Sequence, residues 1–265
     1  NLHEHPTCIL AAHLRYNGMQ PAGLRAAGNA GLRHSSKLDG CPPHDFYMAI
    51  ANKVSWHPLG NRIGAVIVSV VKPYSRGAVT LKSAELSENP RVAFHVMEDA
   101  RDMARMKMGL RLMFDIFNSP AVREVTTVSF PAAFSARVRK LNMETRGNWW
   151  RSLAGSLLMD LPGPLRRLAL RNAINPGPGL AEVFRDNDAL EDWIRENCRG
   201  FFHPVGTCKM GNDPMAVVDD QLKVHGIEAL RVADASIMPT LTSGNTNAPS
   251  IMIGEKASRM VLAAA

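Results

Sequence analysis

Two turns rich in glycine and proline near the C-terminal end constrain the fold more than any other feature of the sequence. Residues 201–211 have the sequence FFHPVGTCKMG and include His203, and residues 243–256 have the sequence SGNTNAPSIMIGEK and include Asn245. Glycine and proline restrict such turns to a few backbone conformations, so each polar side chain is held in a defined position. A fixed imidazole and a fixed amide are what a proton-transfer site requires. The rest of the chain is therefore interpreted as support for this pair.

Composition limits the class of protein. A chain of 265 residues is long enough for one large domain or two ordinary ones, and its 46% hydrophobic content excludes a disordered chain. The net charge of +7 suits an anionic partner only if it is concentrated in one place. Four scattered cysteines without a Cys-x-x-Cys pair indicate reduced thiols in a cytoplasmic protein. No run reaches the roughly 18 apolar residues that a membrane span needs.

Strand-like patterns dominate the first part of the chain. Residues 10–31 mix alanine and leucine with arginine and glycine, which we interpret as a short helix and loop. β-Branched and aromatic residues at 47–53, 63–71 and 77–81 predict an antiparallel sheet, with residues 72–77 as a turn between two of its strands.

Helical patterns follow. Apolar residues recur at helical spacing across residues 99–118, where methionines fill the core, and a short helix is predicted at 188–197. The C-terminal region predicts a hairpin at 217–224, a short buried strand at 230–233 and an apolar helix at 250–263. These last elements are typical of an α/β layer whose other strands are not visible in the sequence.

Residues 137–171 form the basic part of the chain, with eight lysine and arginine residues against two acidic ones. The segment also contains Trp149 and Trp150. Such a basic, tryptophan-bearing segment suits peripheral contact with an anionic membrane surface. The alternative is a solvated insertion whose apolar side chains pack on the body of the protein. No repeated basic and aromatic spacing supports a nucleic-acid partner.

Four blocks near the C-terminus resemble one known family. Residues 203–211, 230–239, 244–249 and 253–257 are similar, in order and spacing, to the C-terminal signature of the glucose-methanol-choline (GMC) oxidoreductases. The resemblance implies an FAD-dependent enzyme that oxidises a small-molecule alcohol to an aldehyde or ketone. It leaves open whether oxygen or a quinone is the electron acceptor.

Two motifs extend the resemblance toward the start of the chain. Residues 1–6 are similar to the family's Asn-Leu-x-Asp-His-Pro, with Glu4 in place of the usual aspartate, and residues 72–79 resemble its Pro-x-Ser-Arg-Gly-x-Val turn. Family members begin with a Gly-x-Gly-x-x-Gly turn that binds the FAD pyrophosphate, and this sequence contains no such motif. The resemblance therefore implies the C-terminal half of a larger enzyme, which needs a missing N-terminal FAD-binding half.

The implied fold combines α+β and α/β parts. Residues 1–44 are expected to form a connecting or lid segment. Residues 45–200 are expected to form an antiparallel-sheet substrate-binding domain with helices, including the basic insertion at 137–171. Residues 201–265 are expected to be the C-terminal part of the FAD-binding domain, whose strands and helix complete a Rossmann-like fold.

The resemblance also implies roles for the two turn residues. His203 corresponds to the base that removes the hydroxyl proton while hydride passes to the flavin, and a neutral imidazole suits that task. Asn245 lies where the family places a second active-site histidine or asparagine, and its amide would hydrogen-bond the alcohol oxygen. The alternatives are a buried histidine that only satisfies backbone groups and an ordinary turn asparagine.

Four further residues are expected to contact the cofactor. By resemblance, Asp234 and Ala235 approach the flavin or its ribityl and phosphate groups. Asn247 and Ala248 start the last helix and would approach the isoalloxazine ring, where helix N-terminal amides stabilise negative charge. Plain strand-end and N-cap geometry is the alternative for all four.

Two other functions stay open at the level of sequence. The chain is a non-catalytic fragment if its flavin site needs a partner polypeptide, and it is a hydroxynitrile lyase if flavin has only a structural role. A metal site is not predicted, because His3, His5 and Cys8 match no standard zinc spacing.

Overall fold

A six-stranded antiparallel sheet forms the centre of the computed structural model, which describes residues 1–24, 28–132, 135–174 and 177–263. Five strands lie in the order β2 (Ala30–His34), β3 (Phe46–Ala51), β4 (Ile63–Val70), β1 (Pro6–Leu14) and β7 (Thr126–Ala132). The short strand β8 (Arg199–Gly200) pairs with the start of β1. The predicted antiparallel sheet is therefore confirmed.

The interior strand β1 corrects the prediction of a helix and loop at 10–31 over residues 10–14, and residues 25–27 of that prediction lie outside the described residues. It pairs with β4 on one side and β7 on the other. Leu10 packs in the core cluster that includes residues of α1 (Ala100–Asn118), whereas Ala11 packs in the cluster that contains Met159 on the opposite face. A strand buried on both faces has no alternation of polar and apolar residues, and its alanines and leucines favour helix, so pairing overrode local propensity.

The helix predicted at 99–118 is confirmed as α1, and it covers one face of the sheet. Asp99 caps its first turn by accepting a hydrogen bond from the backbone N–H of Arg101. Met106 and Leu110 are fully buried in the cluster that contains Phe46 of β3. Helix α7 (Asn187–Asn197) adds its own apolar face to this cluster, after the four-residue helix α6 (Leu180–Val183).

The opposite face carries the basic segment. Its helices are α3 (Ala136–Leu141), α4 (Arg146–Leu158) and α5 (Gly163–Ala169), which continues into a π-helical turn at Leu170–Ile174. Helix α2 (Pro120–Val125) precedes β7. The segment from β4 leads to a separate two-stranded sheet of β5 (Ala78–Thr80) and β6 (Arg91–Ala93), so residues 72–77 connect two sheets instead of turning within one.

The C-terminal region is mainly turns around a small apolar cluster. The hairpin predicted at 217–224 is present as a single bridge between Val218 and Val224. The buried strand predicted at 230–233 is wrong, because this stretch makes one isolated bridge through Arg231 and leaves Leu230 47% exposed. Helix α8 (Asn247–Leu262) buries only two residues, Ile253 and Ala257.

Within the described parts of the chain, none of the helices is both long and apolar enough to cross a membrane.

Candidate active site

The start of the chain joins the blocks that the sequence singled out. Leu2 and Gly77 exchange backbone hydrogen bonds of 3.0 and 2.8 Å, which connects residues 1–5 to the turn at 72–77. His3 and Val205 exchange bonds of 2.9 and 3.0 Å, which connects the same residues to the histidine-bearing turn. Segments far apart in sequence therefore meet beside His203.

Asn1 packs closely against Gly206. The Asn1 side-chain Nδ2 donates to the Gly206 carbonyl at 3.0 Å and to the Pro239 carbonyl at 3.3 Å. Gly206 has φ +88°, and a Cβ there would lie 2.5 Å from the Asn1 carbonyl oxygen. Glycine is required at this position both for its backbone conformation and for space.

Glu4 holds the backbone of the histidine-bearing turn. Its buried carboxylate accepts hydrogen bonds from the N–H of His5 at 2.8 Å, of Phe201 at 3.2 Å and of His203 at 2.9 Å. Desolvation raises the pKa of Glu4 above its ordinary value, although the three N–H groups act in the opposite direction. A Cβ on Gly200 would lie 2.6 Å from the Glu4 side chain, so glycine there leaves room for the carboxylate.

His203 is half-buried and touches a second histidine. Its Nδ1 lies 2.9 Å from Nδ1 of His5, and the two rings meet edge to face. The preceding residue, Phe202, has the left-handed φ of +62° and is 87% exposed. Burial lowers the pKa of His203, and it lowers the pKa of His5 to about 4, so both imidazoles are neutral at pH 7.

Asn245 lies exposed in the turn just before α8. His5 connects this turn to His203, because its Nε2 lies 2.9 Å from the Thr242 carbonyl oxygen. The loop is held further by a 2.6 Å bond from Lys72 Nζ to the Leu241 carbonyl. No direct hydrogen bond joins the side chains of Asn245 and His203 among the described residues. The structure thus brings the two loops together, while the shared role of the two side chains stays a prediction.

The two strand-end residues predicted to contact cofactor lie beside the histidine-bearing turn. Asp234 caps the 3₁₀ helix Ala235–Ile237, and its carboxylate accepts from the Ser236 N–H at 2.7 Å. The Ala235 carbonyl accepts from the Gly206 N–H at 3.4 Å. The capping geometry is therefore present, and the contact with flavin stays a prediction.

The other two predicted cofactor residues begin α8. Asn247 and Ala248 are exposed, and Thr246 at the N-cap makes no side-chain capping bond. The first amides of this 16-residue helix therefore face outward with the positive end of the helix dipole. This donor set suits an electron-rich group such as the flavin ring.

Sequence reasoning missed the roles of Glu4 and His5. Their partners at 201 and 203 are almost 200 residues away, so local patterns carry no signal for these contacts. The similarity of residues 1–6 to a family motif was the available sign. No group of three or more His, Cys, Asp or Glu side chains in the described residues is placed to hold a metal ion.

Comparison with known proteins assigns the chain to a family of oxidoreductases. A family model described as GMC oxidoreductase matches residues 73–254, which is more than half of the chain. The chain belongs to the GMC oxidoreductase family, so the resemblance found in its sequence is confirmed.

Two curated relatives are similar over long stretches. The 5-(hydroxymethyl)furfural oxidase of Methylovorus sp. (strain MP688) is 32% identical over 268 residues, covering 99% of this chain and 43% of the relative. The oxygen-dependent choline dehydrogenase of Brucella ovis is 38% identical over 197 residues, covering 74% of this chain and 27% of the relative. The chain thus spans less than half the length of either protein.

A solved structure supports the architecture. A variant of the formate oxidase of Aspergillus oryzae RIB40, solved to follow FAD modification, matches with a TM-score of 0.67 at 18% identity. The match covers 99% of this chain and 47% of that chain. It confirms the predicted α+β fold with an antiparallel sheet, whereas completion of a Rossmann-like FAD domain stays a prediction.

Proposed function

We propose that the protein containing this chain is an FAD-dependent oxidoreductase that converts an alcohol to an aldehyde or ketone. The observation that carries the proposal is the neutral, half-buried imidazole of His203, held against His5 in a block that matches the family signature. Because burial lowers the pKa of His203, the ring is available as a proton acceptor at neutral pH.

The residues of this chain divide the work at the alcohol. His203 accepts the hydroxyl proton, and the Asn245 amide donates a hydrogen bond to the alcohol oxygen, which orients it and stabilises developing charge. Bound FAD supplies the acceptor for the hydride that leaves the alcohol carbon. The outward-facing amides of Asn247 and Ala248 are the groups of α8 that would hold the flavin ring, with Asp234 and Ala235 near its polar chain.

The FAD phosphates require a separate assignment. The sequence lacks a Gly-x-Gly-x-x-Gly turn, and the chain covers 43% of the furfural oxidase. Both observations support an N-terminal FAD-binding half that supplies the phosphate site. A visible spectrum of the purified 265 residues tests this point, since tight stoichiometric flavin binding by this chain alone would contradict it.

The names of the relatives support oxygen as electron acceptor and a primary alcohol as substrate. One is an oxidase for 5-(hydroxymethyl)furfural, and the other is an oxygen-dependent choline dehydrogenase. Both named compounds carry a primary hydroxyl group. Oxygen consumption that equals substrate oxidation would support this assignment, whereas activity only with an added quinone would contradict it.

Replacing His203 with alanine in the flavin-loaded enzyme tests the catalytic assignment. We expect the flavin absorbance to remain and turnover to fall at least about a hundredfold, since general-base catalysis contributes about 10²- to 10⁴-fold. The exposed His225 provides a matched control, and His225→Ala should retain wild-type turnover. Equal activity of the two variants would exclude His203 as the base.

A further inference from the structure

The ring of His5 lies between two backbone carbonyl groups. Its Nε2 is 3.1 Å from the Val71 oxygen and 2.9 Å from the Thr242 oxygen. A carbonyl oxygen only accepts hydrogen bonds, so Nε2 of His5 must carry a proton. Because burial lowers the pKa of His5 to about 4, the ring holds one proton at neutral pH, and its Nδ1 is left as a lone-pair acceptor.

This arrangement determines which nitrogen of His203 carries a proton. The two Nδ1 atoms of His5 and His203 lie 2.9 Å apart, and a hydrogen bond between them needs one donor. Since Nδ1 of His5 has no proton to give, Nδ1 of His203 donates. A neutral His203 then has an unprotonated Nε2.

We propose that His5 is a positioning residue that fixes the tautomer of His203 and leaves Nε2 of His203 as the proton acceptor. The proposal deepens the alcohol-oxidising function above and rests on it for its catalytic meaning. During the reaction, the hydroxyl proton moves to Nε2 while Nδ1 keeps its proton and its bond to His5. The resulting imidazolium is therefore stabilised by a neutral acceptor that is already in place.

The charged groups around the pair agree with this assignment. The Glu4 carboxylate is occupied by backbone N–H groups, including that of His203, and so does not compete for the ring protons. Lys72 donates to the Leu241 carbonyl and disfavours a second positive charge on His5. Burial and the charge of Lys72 both disfavour protonation of His5, so its Nδ1 stays without a proton.

A neighbouring histidine provides an internal reference. Nδ1 of His3 accepts from the Leu241 N–H at 3.1 Å, so a neutral His3 carries its proton on Nε2, which lies 3.1 Å from the Asn1 side-chain oxygen. The structure therefore assigns the Nε2–H tautomer to His3 and His5 and the Nδ1–H tautomer to His203. The three neutral histidines should therefore give two different patterns of nitrogen protonation.

Nitrogen-15 NMR of the full protein labelled at histidine tests the assignment without reference to turnover. Near pH 7.5, His203 should show a protonated Nδ1 and a non-protonated Nε2, and His3 and His5 the reverse. A His203 ring protonated at Nε2 would overturn the proposal. If the expected tautomer is found but no alcohol is oxidised, the proposed function fails while the assignment stands.

Two substitutions at His5 separate the role of Nδ1, which accepts from His203, from the role of Nε2, which anchors the ring to the Val71 and Thr242 carbonyls. In His5→Gln the amide nitrogen reaches the position of Nε2 and still donates to Val71 and Thr242, but the acceptor facing His203 is lost. In His5→Asn the amide oxygen takes the position of Nδ1, so the acceptor remains and the anchor is lost. A purely structural role for His5 predicts a larger defect in His5→Asn.

We expect the opposite order in the flavin-loaded enzyme. His5→Gln should lower kcat at least about tenfold, a part of the roughly 10²- to 10⁴-fold that general-base catalysis contributes, while KM changes less. It should also move the acidic limb of the kcat/KM profile to lower pH, because the imidazolium of His203 loses an acceptor. His5→Asn should retain more activity, and the exposed control His225→Gln should leave the profile unchanged. An unaltered profile in His5→Gln would contradict the proposal.

Discussion

The residues around His203 and the basic helices, which lie on the face of the sheet opposite α1, are attached to the sheet in contrasting ways. Around His203, the buried polar groups of residues 1–5 bond to backbone atoms of residues 201–206 and 241–242, and we call this arrangement the N-terminal clamp. In the basic helices, α4 buries Ser152 and Ser156 while Trp150 is 65% exposed.

The contrast separates two uses of side chains. In the clamp, polar groups are removed from water because each has a backbone partner, and the result is a fixed position for one imidazole. In the basic helices, apolar side chains are exposed to solvent on a segment rich in arginine. These side chains form a surface for binding and do not fix the position of a catalytic group. Substitutions in the clamp should therefore change stability and catalysis, and substitutions on the basic helices should change mainly what the surface binds.

Removal of the Glu4 carboxylate should produce the largest loss of stability. Glu4→Ala leaves the N–H groups of His5 and His203 without their acceptor, and each costs about 1–3 kcal/mol, whereas the Phe201 N–H keeps its bond to the His5 carbonyl. We expect the free energy of unfolding to fall by about 3 kcal/mol or more, measured by equilibrium urea denaturation.

Two controls sharpen that comparison. Glu4→Asp introduces the residue usual in the family motif and should be milder. Glu144→Ala removes an exposed carboxylate beside α4 and should change stability by less than about 0.5 kcal/mol. If Glu4→Ala were no worse than Glu144→Ala, the clamp would not hold the turn.

Acid should weaken the clamp through its buried histidines. Burial lowers the pKa of His3 and His5 from 6.5 to about 4, so their neutral forms favour the folded state. For groups with a lowered folded pKa, this stability is present above pH 6.5 and is lost as the pH falls toward 4. Burial also lowers the pKa of His13, beside Arg62, to about 4, so this residue adds to the loss of stability in the same pH window.

Thermal unfolding between pH 7.5 and pH 4 measures this effect. We expect Tm to fall across the window by about 2–4 °C for each kcal/mol lost. A His3→Gln variant should be less stable at pH 7.5 but should lose less on acidification. A wild-type Tm that stays constant from pH 6.5 to pH 4 would contradict the neutral state of these histidines.

Helices with one buried face could be predicted from sequence, and the clamp could not. In α1, Met103, Met106 and Leu110 recur at helical spacing and are buried together. In β1, Leu10 faces one apolar layer and Ala11 faces the other. Both faces are buried, so the sequence lacks the alternation of polar and apolar residues that identifies a strand. The sequence pattern predicted an element correctly where one face of that element is exposed to solvent.

The candidate site shows the same limit. His203 and Asn245 could be selected because each lies in a Gly/Pro-rich turn that matches a family block. The proton state of His203 depends on His5, which is 198 residues away and is itself oriented by the Val71 and Thr242 carbonyls. Such contacts depend on tertiary structure and have no period or spacing in the sequence.

An intermediate effect is expected where the basic helices are anchored. Arg62 is buried and donates to Asp160 at 2.5 Å, and this bond lowers the pKa of Asp160. Asp160→Asn leaves a buried guanidinium without its counter-charge and should cost about 1–2 kcal/mol in urea denaturation. The exposed pair of Glu255 and Arg259 is the control, and Glu255→Gln should cost less than about 0.5 kcal/mol. Equal losses of stability in Asp160→Asn and Glu255→Gln would show that the Arg62–Asp160 pair contributes no more than an exposed ion pair.

Substitution of an exposed apolar residue on the basic helices should change stability least and should instead change binding to lipid. We propose that the basic helices contact anionic lipid, since Trp150 and Leu157 are 65% and 62% exposed on helices that also carry the exposed Arg146 and Arg167. Trp150→Ser should alter the free energy of unfolding by less than about 0.5 kcal/mol, yet it should reduce sedimentation with vesicles of anionic lipid. Leu86→Ser, at a fully exposed apolar residue outside these helices, should not reduce it. Equal sedimentation of the wild type with neutral and anionic vesicles would contradict lipid contact and favour a solvated insertion.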